Sequence, residues 1–329
     1  MTISHHIQMP RRAVAPALTG ATGWLNSASL TPERFRGHVV LYVFCTYTCI
    51  NWVRTLPYVR AWDAKYGDHG LAVVGIHTPE FVFEREIGNV RQAVLSQHVK
   101  FPVAIDSDYE IWRSFDNHYW PALYLADHRG VIRYEHFGEG RYKSTERAIR
   151  QLLSETGVQV NEDLVEVTGT GQETPADWDG LESAETYFGY RRAAGFTSAD
   201  GLRRDSSHDY RVPSCLPHNS WALSGKWTIG PDRITAHSRG ARIATRFHAR
   251  DLHLVMTPAE CPPPLRFRVS LDGQAPGDAH GLDIDAAGAG MVVEPRRYQL
   301  LRQRHTIMDH TAEITFLDGG AEAFGITFG

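Results

Sequence analysis

Several features that mark large classes of protein are absent from this sequence. No apolar run approaches the roughly 18 residues that a membrane-spanning helix needs. The first 20 residues contain only a short apolar run, broken by Pro16, which argues against a signal-peptide core. We therefore expect no membrane segment in this chain and a cytoplasmic location, an expectation that an upstream segment would reverse. Four cysteines in 329 residues are too few for a disulfide scaffold.

Charge and motif content exclude further functions. The formal net charge is −4 and no basic patch dominates, so we expect no nucleic-acid partner. The 17 histidines meet no Cys-x-x-Cys pair or His-x-x-x-His pattern at ligand spacing, so we predict no metal site. The sequence contains neither a glycine-rich phosphate loop nor a Gly-x-Ser-x-Gly elbow. We predict a globular protein without a cofactor.

The first half of the chain alternates between two kinds of hydrophobic pattern. Short apolar runs predict buried strands, and longer stretches with helical periodicity predict the helices between them. The turn Asp127-His128-Arg129-Gly130 joins two strand-like runs and predicts a hairpin. This mixture predicts an α/β fold: a parallel sheet with an antiparallel edge and helices on both faces. The predicted strands are 38–44, 71–76, 101–105, 122–126 and 131–136, and the predicted helices are 51–66, 89–98, 110–115 and 145–155.

The second half has a different pattern. Residues 157–179 are rich in Thr, Gly, Glu and Asp and predict a linker. Beyond them, short strand-like runs between residues 221 and 317 are separated by Gly, Pro and Asp turns. This pattern predicts an all-β jelly roll or sandwich. We therefore predict a first domain over 1–157, a linker over 158–179 and a β-domain over 180–329.

One short stretch carries a candidate nucleophile. The strand 38–44 runs into Cys45-Thr46-Tyr47-Thr48-Cys49, and a helix is predicted to begin at about Cys49. A thiol in the first turn of a helix faces unbonded backbone N–H groups and the positive end of the helix dipole. Both favour the thiolate, which is the nucleophilic form. The alternative is that Cys49 is a small buried residue, as cysteines often are.

Several short segments of the sequence match a known pattern. They are Trp24-Leu25-Asn26-Ser27, Cys49-Ile50-Asn51, Arg54-Thr55-Leu56-Pro57, Gly75-Ile76-His77-Thr78-Pro79-Glu80-Phe81, His118-Tyr119-Trp120-Pro121-Ala122, Glu185-Thr186-Tyr187-Phe188-Gly189-Tyr190 and Arg246-Phe247-His248-Ala249-Arg250-Asp251. Through them residues 17–156 resemble the thioredoxin-like domain of TlpA- and DipZ-type proteins, in the TlpA/AhpC-TSA superfamily. Residues 180–329 resemble the β-rich, carbohydrate-binding-module-like domain at the C-terminus of DipZ-type proteins. Such proteins usually also carry a membrane-embedded electron-relay domain, which this chain lacks, and the resemblance suggests an extracytoplasmic location.

The chain departs from the family pattern Asp-Phe-Trp-x-x-x-Cys-x-x-Cys. It keeps the first cysteine as Cys49, but has Trp52 in place of the second, resolving cysteine. Cys45 replaces the family's tryptophan, and Val43 its buried aspartate. The resemblance implies a degenerate site in which Cys49 is the sole attacking thiol and an external thiol resolves the mixed disulfide. Cys45 as a replacement resolving cysteine, and an exchange of volume between positions 45 and 52, are the alternatives.

The resemblance implies roles for further residues. Trp120-Pro121 resembles the cis-proline element that faces the nucleophile and leaves a backbone edge where an extended peptide can pair. Glu80 is a candidate proton carrier or a helix-start carboxylate. Arg54 either stabilises the thiolate or lies on the surface. We thus assign Cys49, Cys45 and Glu80 to catalysis, and Trp120, Pro121, Trp52 and Arg54 to substrate binding.

Three functions remain open at this point. The first is thiol–disulfide exchange on protein disulfides or small thiol adducts. The second is a redox-inactive protein that binds partners through the Pro121 edge, and the third is a thiol peroxidase, indicated by half a motif at Thr46 to Cys49. The second domain is a candidate polysaccharide binder by resemblance, although its aromatic residues are expected mostly in the sandwich core. These aromatic residues are Trp178, Tyr187, Tyr190, Trp221, Trp227 and Tyr298.

Overall fold

The computed structural model describes residues 13–160, 163–258 and 264–329. The chain divides into two compact units, Met1–Thr174 and Pro175–Gly329. Among the described residues, no helix combines the length and the hydropathy needed to cross a bilayer. The limits of the linker at 158 and 179 stay a prediction.

A six-stranded sheet with four helices forms the first unit. The sheet order is β1-β4-β3-β2-β5-β6. Strands β2, β3 and β4 run parallel, while β1, β5 and β6 are antiparallel to their neighbours. The elements are β1 (Gly23–Leu25), β2 (Val39–Cys45), α1 (Ile50–Tyr66), β3 (Leu71–His77), α2 (Ile87–Ser96), β4 (Val103–Ile105), α3 (Glu110–Ser114), β5 (Ala122–Ala126), β6 (Ile132–Phe137) and α4 (Tyr142–Glu155).

The central strand β2 shows why the sequence folds in this way. All seven of its residues, Val39–Cys45, are buried, because β3 and β5 pair with it on either side. A strand enclosed in this way needs an apolar sequence without alternation, and β2 has one. The predicted hairpin is confirmed: Gly130 N–H donates to the Asp127 carbonyl at 2.8 Å. Helix α1 continues through Pro57, and β1 is a strand that the sequence did not predict.

The segment that follows α4 packs back onto the same unit. The N–H of Val165 donates to the buried carboxylate of Glu146 at 2.8 Å. Further on, the Glu173 carboxylate lies 2.6 Å from the guanidinium of Arg60 on α1. Residues 163–174 are therefore attached to α4 and to α1.

Eleven strands are described in the second unit, and they confirm the predicted all-β class. The main path of the sheet is β14-β13-β16-β11-β9-β10-β17-β12-β15, with β7 on β17 and β8 on β9. The sheet encloses a large apolar core that includes Phe188, Trp221, Trp227, Phe267 and Phe316. The strands are β7 (Thr186–Tyr187), β8 (Ser207–Tyr210), β9 (Ser220–Ile229), β10 (Ile234–Ala236), β11 (Arg242–His248), β12 (Asp251–Pro258), β13 (Leu265–Leu271), β14 (Ala289–Val292), β15 (Arg296–Arg302), β16 (Asp309–Phe316) and β17 (Ala321–Phe328).

Candidate active site

Cys49 lies where β2 gives way to α1. After Cys45 the chain makes a turn in which the N–H of Cys49 donates to the Thr46 carbonyl at 3.2 Å. Cys49 is the N-cap residue of α1, and its carbonyl accepts the N–H of Val53 at 3.1 Å. The predicted position at a helix start is confirmed. The open N–H groups of the first turn give this corner a positive electrostatic potential.

The thiol of Cys49 faces the loop before β5. Its side chain is half-buried, and Sγ lies 3.8 Å from the carbonyl oxygen of Trp120. The Trp120–Pro121 peptide bond is cis. The indole of Trp120 donates to the Thr78 carbonyl at 3.1 Å and packs against Trp112 with ring centroids 4.3 Å apart. Trp120 is therefore fixed in place, with its carbonyl directed at the sulfur.

Cys45 and Trp52 lie together beneath this surface. Cys45 is 5% exposed and Trp52 is 2% exposed. The Trp52 indole donates to the side-chain oxygen of Gln97 at 3.3 Å, and Gln97 donates in turn to the Tyr47 carbonyl at 3.1 Å. Cys45 and Trp52 both line one small cavity of about 20 Å³. This shared packing is what an exchange of volume between the two positions requires.

The two thiols of this corner have different surroundings. Burial raises the pKa of Cys45, and the nearby charges of Cys49 and Glu84 raise it further. Cys45 is thus held as a neutral thiol near neutral pH, whereas Cys49 is partly open to solvent at the helix start. Both are thiols in this structure, as is the exposed Cys215. Cys261 lies outside the described residues.

A buried carboxylate that the sequence reasoning missed lies beside the Cys49 turn. Glu84 is fully buried and accepts hydrogen bonds from the N–H and hydroxyl of Thr48 at 3.2 and 2.7 Å. It also accepts the N–H groups of Glu80 and Phe81 at 2.7 and 2.9 Å. Glu84 therefore joins the Cys49 turn to the turn after β3. Glu84 follows Phe81 by three residues and accepts its N–H, which is half of a capping box. This spacing is the local signal in the sequence that could have pointed to Glu84.

Val43 occupies the position at which the resemblance places an aspartate. It is fully buried in the middle of β2. The buried acid next to the Cys49 turn is Glu84, in the turn after β3. Burial raises the pKa of Glu84 against the hydrogen bonds that favour its charged form. Its four donors and zero exposure make Glu84 part of the framework that holds the Cys49 turn.

Glu80 and Arg54 occupy defined positions around this framework. Glu80 is half-buried in the turn after β3, and its role as a proton carrier stays a prediction. Arg54 is 2% exposed, so the surface alternative for it is wrong. Its Nε donates to the Thr174 carbonyl at 3.1 Å, and its Nη1 lies 3.6 Å from the Glu139 carboxylate. These contacts support a structural role for Arg54, and its assignment to the thiolate stays a prediction.

Three of the six aromatic residues considered for the second unit lie in its core, and the half-buried Tyr190 packs against it. Trp221, Trp227 and Tyr298 are fully buried. The guanidinium of Arg192 lies 3.2 Å from the ring centre of Tyr187, and the hydroxyl of Tyr190 donates to Asp205 at 3.0 Å. Trp178 is 59% exposed. Within the described parts of the chain, no group of three His, Cys, Asp or Glu side chains could hold a metal ion.

Comparison with known proteins matches both units. A family model described as "Redoxin" matches residues 12–153, and one described as "Thioredoxin like C-terminal domain" matches residues 183–329. The Bacillus subtilis "Thiol-disulfide oxidoreductase YkuV" is 30% identical over 149 residues, which are 45% of this chain and 99% of that protein. This chain belongs to the redoxin family of thioredoxin-like proteins. The thioredoxin-like fold predicted for the first unit is confirmed, and we call that unit the redoxin unit.

The redoxin unit and the second unit also match a longer relative. "Protein DipZ" of Mycobacterium tuberculosis is 37% identical over 252 residues, which are 76% of this chain and 36% of that protein. The chain thus spans about a third of the length of the DipZ relatives it matches. Among solved structures, a "Thioredoxin-like Protein in the Oxidized Form" matches with a TM-score of 0.41 and 30% identity. That match covers 44% of this chain and 97% of the solved chain.

Proposed function

We propose that the redoxin unit carries out thiol–disulfide exchange with Cys49 as the attacking thiol. The observation that carries this proposal is the half-buried sulfur of Cys49 at the N-cap of α1, facing the Trp120 carbonyl. The neighbouring thiol, Cys45, is buried and neutral, so it does not compete for the first attack. The Bacillus subtilis relative is named a thiol-disulfide oxidoreductase, which supports the same chemistry.

The exchange step balances without a cofactor. The Cys49 thiolate attacks one sulfur of a substrate disulfide, forming a mixed disulfide, and the other substrate sulfur leaves as a thiolate. A second thiol must then attack the mixed disulfide. In a Cys-x-x-Cys site that thiol occupies the position that Trp52 fills here. The proposed cycle therefore ends with an external thiol, either small or on a protein, attacking Cys49.

The segment around Trp120 supports protein disulfides or small thiol adducts as the substrates. Tyr119 and Phe137 are 54% and 42% exposed, and their ring centroids lie 5.2 Å apart. Tyr119 directly precedes Trp120 in the chain, and Phe137 pairs with Ala122, which directly follows Pro121. Exposed apolar side chains on the segment that carries the Trp120 carbonyl suit a disulfide flanked by an unfolded or extended polypeptide segment.

Reduction of insulin disulfides by a dithiol tests the proposal. We expect the unaltered chain and Cys45→Ser to accelerate the reaction, and Cys49→Ser to be inactive, because Cys49 carries the first attack. Equal, unaccelerated rates in all three proteins would contradict the proposal and favour a redox-inactive binding protein. Thiol-dependent consumption of peroxide without insulin reduction would favour a thiol peroxidase.

Timed alkylation with peptide mass spectrometry tests the order of reactivity directly. We expect Cys49 to be labelled near neutral pH on the order of 100-fold faster than Cys45, because thiolate content and access both favour it. Exposed Cys215 serves as the internal reference for an accessible thiol. Faster labelling of Cys45 than of Cys49 would reverse the assignment.

A further inference from the structure

A cavity of about 200 Å³ lies beside the amino end of β2 in the redoxin unit. Cys49 follows the opposite, carboxyl end of the same strand, so the proposed exchange does not use this cavity. Its wall combines apolar side chains with a phenol and two guanidinium groups. Among the residues that line it are Leu18, Leu30, Phe35, Arg36, Tyr42 and Arg129.

Backbone hydrogen bonds hold the walls of this cavity together. The N–H of Ala15 donates to the Gly130 carbonyl at 2.8 Å, and the N–H of Gly37 donates to the His128 carbonyl at 3.2 Å. These bonds attach the segment before β1 and the segment before β2 to the hairpin of β5 and β6. Because the walls are already ordered, a ligand can bind without the cost of ordering them.

Tyr42, on β2, places a hydroxyl without a partner at this cavity. The residue is 5% exposed, and its ring packs against Phe35 and Phe115 with centroids 6.2 and 5.3 Å apart. Burial alone raises the pKa of Tyr42 to about 12, so the hydroxyl is a neutral donor. It has no hydrogen-bond partner among the described residues, yet it is not fully enclosed. The small exposed part of Tyr42 therefore includes its hydroxyl, and the open space that Tyr42 lines is this cavity.

Two arginines give the cavity a positive edge. Arg36 and Arg129 both line it, and both are exposed. Nε of Arg129 donates to Nε2 of His128 at 3.3 Å, which holds this guanidinium next to another residue of the wall. The acid of the hairpin turn, Asp127, pairs instead with an arginine of β6 at 3.1 Å. Arg36 shares its turn with Glu33, so we assign the larger part of any attraction for an anion to Arg129.

The volume of the cavity limits the size of a ligand. An apolar cavity of about 150 Å³ takes one benzene molecule. A cavity of about 200 Å³ therefore takes one ring with a short side chain, and excludes a long lipid chain or a folded peptide. Leu18, Leu30 and Phe35 supply the apolar contacts that such a ring needs.

From these observations we propose that the cavity binds a small aromatic carboxylate. The ring of the ligand lies among the apolar side chains, and the Tyr42 hydroxyl donates a hydrogen bond to the carboxylate. Arg129 supplies the opposite charge, with a smaller contribution from Arg36. The inference goes beyond thiol–disulfide exchange and does not depend on it, because no atom of Cys49 takes part.

The test uses the full chain and 3-(4-fluorophenyl)propanoate as the ligand. Fluorine NMR follows the broadening of the ligand signal as protein is added, and competition with unlabelled 3-phenylpropanoate shows that the binding saturates. We expect a Kd below about 1 mM for a ligand of this size. The neutral analogue 3-(4-fluorophenyl)propanamide should bind about fivefold more weakly, because it lacks the charge that the guanidinium groups attract.

Two pairs of variants test the polar contacts. Tyr42→Phe keeps the ring and removes the hydroxyl, so it should weaken binding of the carboxylate about tenfold. Tyr134→Phe removes a hydroxyl from β6 outside the cavity wall and should leave binding unchanged. Arg129→Gln should bring the carboxylate and the amide within about twofold of each other. Its control is Arg34→Gln, which is exposed on the turn before β2 but does not line the cavity.

A third pair tests the location. Leu30→Trp adds an indole to the cavity wall and should abolish binding, because the volume has room for one ring only. Leu95 is 64% exposed on α2 and does not line the cavity, so Leu95→Trp should leave binding unchanged.

Each of three results would overturn the inference. Absence of broadening with the unaltered chain removes the site. Equal binding of the carboxylate and the amide by the unaltered chain would mean an apolar surface without selection for an anion. Binding that survives Leu30→Trp would place the ligand elsewhere. If Tyr42→Phe fails to fold, Arg129→Gln and Leu30→Trp decide the question, since neither replaces a fully buried side chain.

Discussion

Two buried polar side chains, one in each unit, are held in opposite ways. In the second unit, Asp251 is fully buried, and its carboxylate lies 2.7 Å from Arg250 and 2.6 Å from Arg302. Gln299 donates a further bond to it at 3.2 Å. In the redoxin unit, the imidazole of His77 lies buried beside the Cys45 thiol with no hydrogen bond to either ring nitrogen among the described residues.

This difference separates a structural use of buried polar groups from a chemical one. A buried carboxylate held by two guanidinium groups keeps one protonation state and contributes to the fold as long as the partners stay together. A buried histidine without such partners lowers stability, and burial lowers the pKa of His77 to about 4, so its ring stays neutral near neutral pH. The contrast predicts that substitution of the carboxylate will lower stability, whereas substitution of the histidine will change how stability depends on pH.

Asp251→Ala tests the structural role of the buried carboxylate and should have the largest effect on stability. It leaves two guanidinium groups beside an empty buried position, so we expect the second unit to lose about 4 kcal/mol of unfolding free energy. Urea unfolding, with hydrogen exchange measured on β12 and β15, reports the loss.

The matched control is Asp309→Ala, because Asp309 also faces an arginine and a histidine but is exposed. It should leave the unfolding midpoint unchanged, since exposed ion pairs contribute little. We expect Cys49 to be alkylated at the same rate in Asp251→Ala as in the unaltered chain. Slower alkylation would show that the loss of Asp251 also changes the redoxin unit, which contradicts the comparison.

Trp52→Cys tests the chemistry of the redoxin unit at the position next to Cys49 in the motif. Removal of a buried indole should cost the redoxin unit about 3 kcal/mol when its thiols are reduced. Oxidation should then create a disulfide between Cys49 and the new cysteine, and recover part of that loss. Denaturation with and without a reductant measures both effects.

Trp62→Cys is the control for this substitution. Trp62 is fully buried on the same helix, so its loss should be similar in size. Its reduced and oxidised forms should unfold alike, since position 62 lies several helical turns from Cys49. If the thiols at positions 49 and 52 can both still be alkylated after mild oxidation, position 52 does not correspond to the second cysteine of a Cys-x-x-Cys motif.

His77→Phe tests the comparison through pH. Burial lowers the pKa of His77 to about 4, so the unfolded chain binds a proton that the folded chain refuses as pH falls below the ordinary histidine value. The unaltered protein should therefore lose about 2 kcal/mol relative to the variant between pH 7 and pH 5. His118→Phe, which replaces an exposed histidine of the same unit, should show no such difference. Identical pH profiles for all three proteins would mean that His77 is charged or hydrated when folded.

The smallest effect is expected at Trp178, which is 59% exposed. Trp178→Ala should change unfolding free energy by less than about 0.5 kcal/mol.

Polysaccharide binding by the second unit stays a prediction, and the exposed indole of Trp178 is one aromatic face that is open to a sugar ring. Retardation of the chain in gels containing soluble polysaccharide, weakened by Trp178→Ala, would support that prediction. Equal mobility with and without polysaccharide would remove it.

The parts of the fold that the sequence predicted are those with an unbroken local pattern. Strand β2 is a continuous apolar run, and α1 follows with helical periodicity, so the position of Cys49 between them was predictable. Strand β9 runs through Ser224-Gly225, a pair that in sequence is typical of a turn. In the structure Gly225 has φ +83° and lies against the backbone of Ala241, so a single strand passes through a local irregularity. Strand β17 was missed for a similar reason, since Gly325 interrupts its apolar residues.

The site was predictable only as far as its members are neighbours in sequence or in the family motif. Two of the four hydrogen bonds that Glu84 accepts come from Thr48, 36 residues away, and no local pattern marks those two contacts. His77 meets Cys45 only through the register of two parallel strands. Strand β3 has no alternation of apolar and polar residues. The sequence therefore does not show whether a histidine at the end of this strand is buried or exposed.

The attachment of residues 163–174 to α1 bears on where this protein can be divided. A cut after residue 157, at the predicted end of the first domain, removes the Thr174 carbonyl from Arg54, the Glu173 carboxylate from Arg60 and the Val165 N–H from Glu146. Two of these contacts are made by the helix that presents Cys49. A cut after residue 174 keeps all three. A fragment meant to retain the reactivity of Cys49 should therefore carry the segment that local composition marks as dispensable.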